Sequence, residues 1–389
     1  MTARVLFYVQ HLLGIGHLMR ASRIARALVD AGLDVHVVLG GAAVEGIPWA
    51  GARLHQLPAI KAGPAGYADL VDAAGRPVDD ALRERRRRQL LAELEAIRPD
   101  IVLIEAFPFG RRALRFELLP LVEAAAAQAP PALVVSSIRD ILHENRKARL
   151  NDETVDLLRR HFDLVLVHGD PGLIPIEASF PRADAIADLV RYTGLVAAGP
   201  ASAQAEDTGD VIVSAGGGAV GEALLRAAVA ARPLTRHADA RWTIVTGPNL
   251  PEPVRRDLER EAGAGVAIRR FVADLPAALA AARVSVSQCG YNTAADVLAA
   301  GCRAVFVPIA YQGETEQVRR ARLLEARNLA VVVEEPELTP ARLAAAIDAA
   351  DAMPPPDKAA VPDLGGAARS AGILIAHLAR ASRRDRRVV

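Results

Sequence analysis

Apolar and polar positions alternate between two rhythms along this chain. Val5 to Val9 form a short apolar strand, and from His17 to Ala31 the residues Leu18, Ala21, Ile24, Ala25, Leu28 and Val29 fall on one helical face, with Gly32 as the stop. A second strand, "DVHVVL" (34–39), follows at once. The runs "DIVLIEA" (100–106), "ALVVSSI" (132–138) and "DLVLVHG" (163–169) then alternate with helical stretches, the signature of parallel βαβ units.

From 194 to 209 the text turns to "GLVAAGPASAQAEDTG", rich in small residues and without apolar periodicity, which reads as a linker. A second series begins beyond it, with strands expected in "VIVSAGGG", "RWTIVTG", "VAIRRFV", "RVSVSQ", "RAVFVP" and "LAVVVE", and helices in 221–232 and 316–328. The expected fold class is α/β, two Rossmann-like doubly wound domains facing a cleft. The expected boundaries are a first domain over 1–198, a linker over 199–209 and a second domain over 210–389, its last helix free to pack back on the first domain. Ligands of such sheets collect at the carboxyl ends of the strands, so chemistry belongs in the strand-end loops. The arginine runs "RERRRRQ" (83–89) and "RRDRRVV" (383–389) lie outside those loops and read as a solvated helix face and a frayed tail rather than a membrane patch.

Composition narrows the function classes. In 389 residues, 51% are hydrophobic and 24% charged, as in a packed globular protein of two or three domains. With 47 basic against 46 acidic residues there is no electrostatic footprint for nucleic acid. The two cysteines, Cys289 and Cys302, read as small buried hydrophobes in a reducing compartment, and the N-terminal apolar run is shorter than the ~20 residues that span a bilayer. A cytoplasmic location is expected.

Three turns stand out. "HLLGIGHLMR" (11–20) ends the first strand, "SAGGGAVG" (214–221) ends the first strand of the second series, and "QCGYNTAAD" (288–296) joins a strand to an Ala-rich helix. Strand, Gly, then a polar helix start leaves backbone N–H groups and a positive helix end exposed to an anion. The plainer alternative for the third turn is a helix capped by Asn292 or Thr293. At the first turn, a helix start keeps the His17 imidazole neutral and able to accept a proton, although a lone histidine there also serves as a cap or packing residue.

Four stretches together carry a resemblance: "GIGHLMRASRIARAL", the Gly216–Gly218 turn, "RRFVADLPAALAAARVSVSQCGYNTAADVLAAGCRAVFVPI" and "ETEQVRRARLL". They resemble the GT-B glycosyltransferases, most of all the family 28 group containing the lipid II-forming N-acetylglucosaminyltransferase of peptidoglycan synthesis. The likeness is strongest over 269–334 and covers the first 40 residues. "EAFPFGRRALRFELLP" and "SSIRDIL" are similar only to a subgroup of predicted bacterial glycosyltransferases. The resemblance implies a nucleotide diphosphate sugar held in the second domain. Gly216, Gly217, Gly218, Gly290, Asn292 and Thr293 would hold the diphosphate, the Val272 backbone the base, Asp296 the ribose and Gln317 the donor sugar, with Gly14, Gly16 and Glu316 also counted among the donor-binding residues. Asp296 stands where the peptidoglycan enzymes carry Glu, and Glu316 where they carry a second Gln.

The activity so implied is metal-independent, inverting sugar transfer, a UDP-sugar being favoured, with no cofactor beyond that co-substrate. No Asp-x-Asp lies at a strand end to hold a metal. His17 would take the proton of an acceptor hydroxyl, with Glu105 or Asp140 orienting it, while Arg139 and His168 either meet an acceptor anion or make structural bonds. The acceptor is open: a small molecule, a glycan or a lipid-linked sugar reached at a membrane surface. "GIGHLMR" is also similar to the nucleotide-sugar hydrolase of pseudaminic acid synthesis, so a hydrolase with His17 serving water remains an alternative, as does a non-catalytic nucleotide-sugar-binding subunit. A dinucleotide oxidoreductase is disfavoured because neither turn is a full GxGxxG. The longer loops at 58–82 and 105–120 favour transfer over hydrolysis.

Overall fold

The computed structural model describes residues 2–12, 14–63, 66–143, 148–199, 210–216, 220–310 and 315–385. The chain divides into two compact units, Met1–Val196 with Gly365–Val389, and Ala197–Leu364.

In the first unit, β1 (Arg4–Val9), β2 (Asp34–Leu39), β3 (Arg53–Gln56), β6 (Ile101–Glu105), β7 (Leu133–Arg139), β8 (Leu164–His168) and β9 (Val190–Tyr192) form one sheet in the order β3-β2-β1-β6-β7-β8-β9. All its pairings are parallel. Val5–Val9 and Ile101–Ile104 are fully buried, as expected of strands covered on both faces. The helices are α1 (Gly16–Asp30), α2 (Asp80–Ile97), α3 (Arg115–Ala126) and α4 (Ala148–His161). The stretch 58–82, expected as a loop, contains an antiparallel hairpin of β4 (Ile60–Gly63) and β5 (Gly66–Asp72).

The second unit repeats the scheme. Strands β10 (Val211–Ser214), β11 (Trp242–Val245), β12 (Val266–Arg269), β13 (Val284–Ser287), β14 (Arg303–Phe306) and β15 (Val331–Val332) lie in the order β12-β11-β10-β13-β14-β15, again all parallel. Its helices are α5 (Glu222–Ala231), α6 (Glu252–Glu261), α7 (Leu275–Ala281), α8 (Tyr291–Ala300), α9 (Glu316–Glu325) and α10 (Pro340–Ala352). In each sheet the strand order reverses beside the unit's first strand, between β1 and β6 and between β10 and β13. That reversal opens a crevice at the strand ends and fixes where a ligand is expected.

The final helix, α11 (Gly366–Asp385), belongs to the first unit and packs along α1, so the second unit ends at Leu364 rather than at 389. The chain returns by pairing Val196 with Gly365, and the Gly366 N–H donates to the Leu195 carbonyl at 3.0 Å. A Cβ at Gly366 would stand 2.4 Å from the Gly194 carbonyl oxygen, so only glycine fits this crossing. Apart from Gly199, the linker expected at 199–209 lies outside the described residues. Among the described residues, no helix is long and apolar enough to cross a membrane. Cys289 and Cys302 are both buried and are not joined in a disulfide.

The run 83–89 departs from a wholly solvated face. Asp79 caps α2 by accepting the Leu82 N–H at 2.7 Å, and the helix then turns Leu82, Arg86, Leu90 and Leu94 inward. Arg86 is fully buried and grips Glu117 of α3 with Nε at 2.9 Å and Nη2 at 2.7 Å. It also donates to the carbonyls of Gly40 and Pro58 and to Gln10 Oε1, while the Tyr8 hydroxyl donates to Glu117 at 2.5 Å. One buried ion pair therefore ties the ends of β1 and β2 to α2 and α3, beneath the loop that leads to His17.

Candidate active site

In the first unit the loop after β1 enters α1, and His17 is the second residue of that helix. Neighbouring β6 ends on Glu105, which is fully buried. The two meet: His17 Nδ1 lies 2.9 Å from Glu105 Oε1. A carboxylate only accepts, so Nδ1 carries the proton and Nε2 keeps its lone pair. Arg20, one helical turn after His17 and so on the same face, ion-pairs with the same Glu105 oxygen. Ser137, opposite Glu105 in the β6–β7 register, donates its hydroxyl to Glu105 Oε2 at 2.9 Å. Behind it, His168 Nε2 lies 2.9 Å from Ser137 Oγ, and His168 Nδ1 lies 2.9 Å from Thr193 Oγ1.

The electrostatics follow from these contacts. Burial pushes the His17 ring down to about 3, the Arg111 guanidinium adds to the shift, and Glu105 offsets it only in part. Burial would raise the Glu105 carboxyl, but the Arg20 cation and the His17 bond outweigh it and hold the group well below the usual carboxylate range. His168 is pushed down to about 3 by burial, with Arg20 adding to the effect. A histidine bound neutral in the fold, but free to take a proton when unfolded, contributes stability that is complete above the ordinary histidine value of 6.5 and is lost as pH falls toward 3. Urea midpoints measured between pH 7.5 and pH 4.5 are expected to fall with pH, and His168→Gln should flatten that decline.

Of the two acids expected to orient His17, Glu105 touches it. Asp140 does not. It is buried, accepts the Ile141 N–H at 2.8 Å and packs against Gly169, so it shapes the loop after β7. His168 is fully buried and makes the bonds given above. Arg139 donates from Nε to the Ile141 carbonyl at 2.9 Å. Gly14 is exposed, with open space where a Cβ would stand, and Gly16 is the first residue of α1.

In the second unit, β10 and β13 deliver their loops side by side. Gly216 adopts φ +59°, a left-handed conformation suited to glycine, while Gly217 and Gly218 lie outside the described residues. Gln288 Nε2 donates to the Val220 carbonyl at 3.2 Å, tying the two loops together. Helix α8 takes Gly290 as its N-cap and has no side-chain cap bond, and Asn292 and Thr293, both half-buried, follow in its first turn. The expectation of an ordinary Asn or Thr cap is therefore not realised: the cap position is a glycine, and Asn292 and Thr293 stand one and two residues inside the helix. Arg320 of α9, fully buried, supports this turn by donating Nη1 to the Cys289 carbonyl at 2.7 Å and lying 5.7 Å from the Tyr291 ring centroid.

The remaining expected residues are near this turn or beyond β12. Asp296 is buried on α8, and its Oδ1 accepts the Ala198 N–H at 2.9 Å. Glu316 pairs with Arg320 at 3.2 Å, and Gln317 Oε1 lies 3.5 Å from the Ile309 nitrogen. Val272 is half-buried in the loop after β12, next to Phe271, a residue that is 61% exposed.

Residues 211–363 match the model of the glycosyltransferase family 28 C-terminal domain. The second unit therefore resembles a family 28 C-terminal domain over most of its length. Relatives named UDP-N-acetylglucosamine–N-acetylmuramyl-(pentapeptide) pyrophosphoryl-undecaprenol N-acetylglucosamine transferase include one from Methylobacterium radiotolerans, 39% identical over 28% of this chain and 29% of its own length. The relative from Xanthomonas axonopodis pv. citri is 31% identical over 52% and 46%, and that from Vibrio atlanticus is 25% identical over 71% and 76%. The chain thus spans about a third to a half of the first two relatives it matches. Among solved structures, the calicheamicin glycosyltransferase CalG4 aligns with a TM-score of 0.59 at 16% identity, covering 99% of this chain and 98% of its own. MurG of Acinetobacter baumannii aligns at 0.55 and 16%, covering 95% of each chain. The fold is that of the GT-B glycosyltransferases.

Against that family 28 background, several residues of the two sites carried little or no sequence signal. Arg20 was within reach, because its spacing from His17 is one helical turn. Ser137 and Thr193 stand in an ordinary strand and at a strand end, and nothing in the text separates them from neighbouring hydroxyls. Arg320 lies in "RRARLL", where the pattern does not tell the buried arginine from its exposed neighbours.

Proposed function

We propose that this chain transfers a sugar from a nucleotide diphosphate sugar, a UDP-sugar foremost, to an acceptor hydroxyl, with inversion and without a metal ion. The observation that carries this is the strand–glycine–helix turn at the start of α8, with Gly290 as its N-cap, inside the stretch that matches the family 28 C-terminal domain. As the sugar leaves, negative charge gathers on the diphosphate, and backbone N–H groups at a helix end stabilise that charge without reorganising. Gly216 and Gly290 let backbone approach the phosphates, with Gly217 and Gly218 assigned there by resemblance alone. Asn292 and Thr293 flank them. The exposed Phe271 ring beside Val272 offers a stacking face for the base. Asp296 is assigned to the ribose hydroxyls and Gln317 to the sugar by resemblance.

His17 is the general base. Its neutral ring, with Nδ1–H directed at Glu105 and Nε2 bare, accepts the proton of the attacking hydroxyl, and a single base with direct displacement gives inversion. The relatives are named for a lipid-linked acceptor, and this chain is assigned only the broader class of glycan, small-molecule or lipid-linked hydroxyl. The test is a panel of such acceptors incubated with UDP-, dTDP- and GDP-sugars and read by mass spectrometry. Addition of one sugar mass with equimolar UDP release is expected. Nucleotide-sugar consumption that is equally fast without acceptor would assign hydrolysis instead.

Thr293→Glu separates binding from folding. A glutamate at the third helical position bonds back to the N-cap amide and favours the helix end, yet its charge fills the anion seat. Binding of UDP is expected to weaken at least about tenfold, the equivalent of ~1.4 kcal/mol, with an unchanged or raised Tm. Unchanged affinity by calorimetry would remove the diphosphate from this turn.

A further inference from the structure

Glu105 is fully buried and accepts from three groups on two elements: His17 and Arg20 of α1, each through Oε1, and Ser137 of β7 through Oε2. An orienting carboxylate beside a histidine ordinarily does two things at once. It fixes the tautomer, and its charge stabilises the imidazolium. Here the second effect is opposed. The Arg20 side chain is itself almost fully buried, its guanidinium shares Oε1 with His17, and Nη2 lies 3.4 Å from His17 Nδ1. A cation at that distance repels a second proton on the ring, and in a buried setting the repulsion is weakly screened.

We propose that Arg20 is a positioning residue of the His17–Glu105 pair: its ion pair lets the carboxylate orient the imidazole while offsetting part of the charge that would otherwise hold a second proton there. This rests on the reading of His17 as the base. The charged groups acting on the ring are Arg111 from the loop after β6, Glu105 from β6 and Arg20 from α1 itself. Arg111 is held by donation from Nε to the Gln10 carbonyl at 3.0 Å and also acts on His11 in the β1–α1 loop. Of the two cations, Arg20 alone is ion-paired with Glu105. The consequence is a base that stays ready on the acid side of neutrality.

Ring-nitrogen NMR of the full-length 15N-labelled protein tests this, with His17 assigned by its loss in His17→Gln. In the wild type, the His17 ring is expected neutral at pH 6 with Nδ1 protonated. In Arg20→Gln the carboxylate is opposed only by burial and Arg111, so the His17 midpoint should rise by about one pH unit, and the acid limb of the transfer rate should move up with it. Arg20→Lys, which keeps the charge, should restore both. An Arg20→Gln midpoint equal to that of the wild type overturns the proposal. So does a wild-type ring already charged at pH 6, a measurement that needs no variant to fold. If the midpoints move as expected while transfer is indifferent to His17→Ala, the base assignment fails and the positioning role stands.

Discussion

His17→Ala is expected to lower the rate of sugar transfer by about 100- to 10,000-fold while leaving UDP affinity within about twofold of the wild type. The size follows from losing a positioned base, and the selectivity from the place of the residue. His17 opens α1 of the first unit, whereas the proposed diphosphate seat lies in the second. Little destabilisation is expected, because the His17 side chain is 27% exposed and Glu105 keeps Arg20 and Ser137 as partners. Glu105→Gln should act in the same direction, and it also leaves Arg20 without its buried counter-charge, so both activity and stability fall. Transfer by His17→Ala at the wild-type rate would place the base elsewhere.

The largest expected effect on stability lies away from the site. Arg86→Ala removes the partner of a fully buried Glu117 and strips donors from Gly40, Pro58 and Gln10. An uncompensated buried charge costs about 3–5 kcal/mol, a large fraction of the ~5–15 kcal/mol that stabilises a domain. Denaturation by urea, followed in the first unit, should show that loss. The double change Arg86→Met with Glu117→Leu should recover most of it, because the charges go together and apolar volume replaces them. A loss in Arg86→Ala below about 1 kcal/mol would mean that water reaches Glu117 and that the pair is not a true interior contact.

Arg86 also shows where sequence reading stops. The strands of both sheets, and helices such as α1, follow from apolar runs and helical spacing, because each buries enough surface to impose its own rhythm. The hairpin in 60–72 is short, with no strong alternation, and β9 is only three residues long, so neither announces itself. An arginine run reads as solvated because charge favours water, and one buried arginine among exposed ones is decided by tertiary partners on α3 and β1 that no local pattern encodes. The return of α11 to the first unit likewise depends on Gly366 crossing Gly194, a contact between distant parts of the chain. At the site, His17 and the turn at 288–296 were legible because strand-end Gly and helix-start polarity are local features. The choice of Glu105 over Asp140 was not. Both end or follow a buried strand, and only the strand order, which sets β6 beside β1, decides which carboxylate reaches the ring.

The second unit is proposed to hold a nucleotide diphosphate sugar ready for transfer. Phosphorus NMR of the protein with UDP-, dTDP- and GDP-sugars, without acceptor, tests it most directly. The expected result is selective broadening of the two phosphate lines of one donor, foremost a UDP-sugar, with no breakdown over the time needed for many turnovers once an acceptor is supplied. Unperturbed lines for every donor would contradict a diphosphate seat at the start of α8, and rapid appearance of UDP or sugar phosphate would contradict transfer.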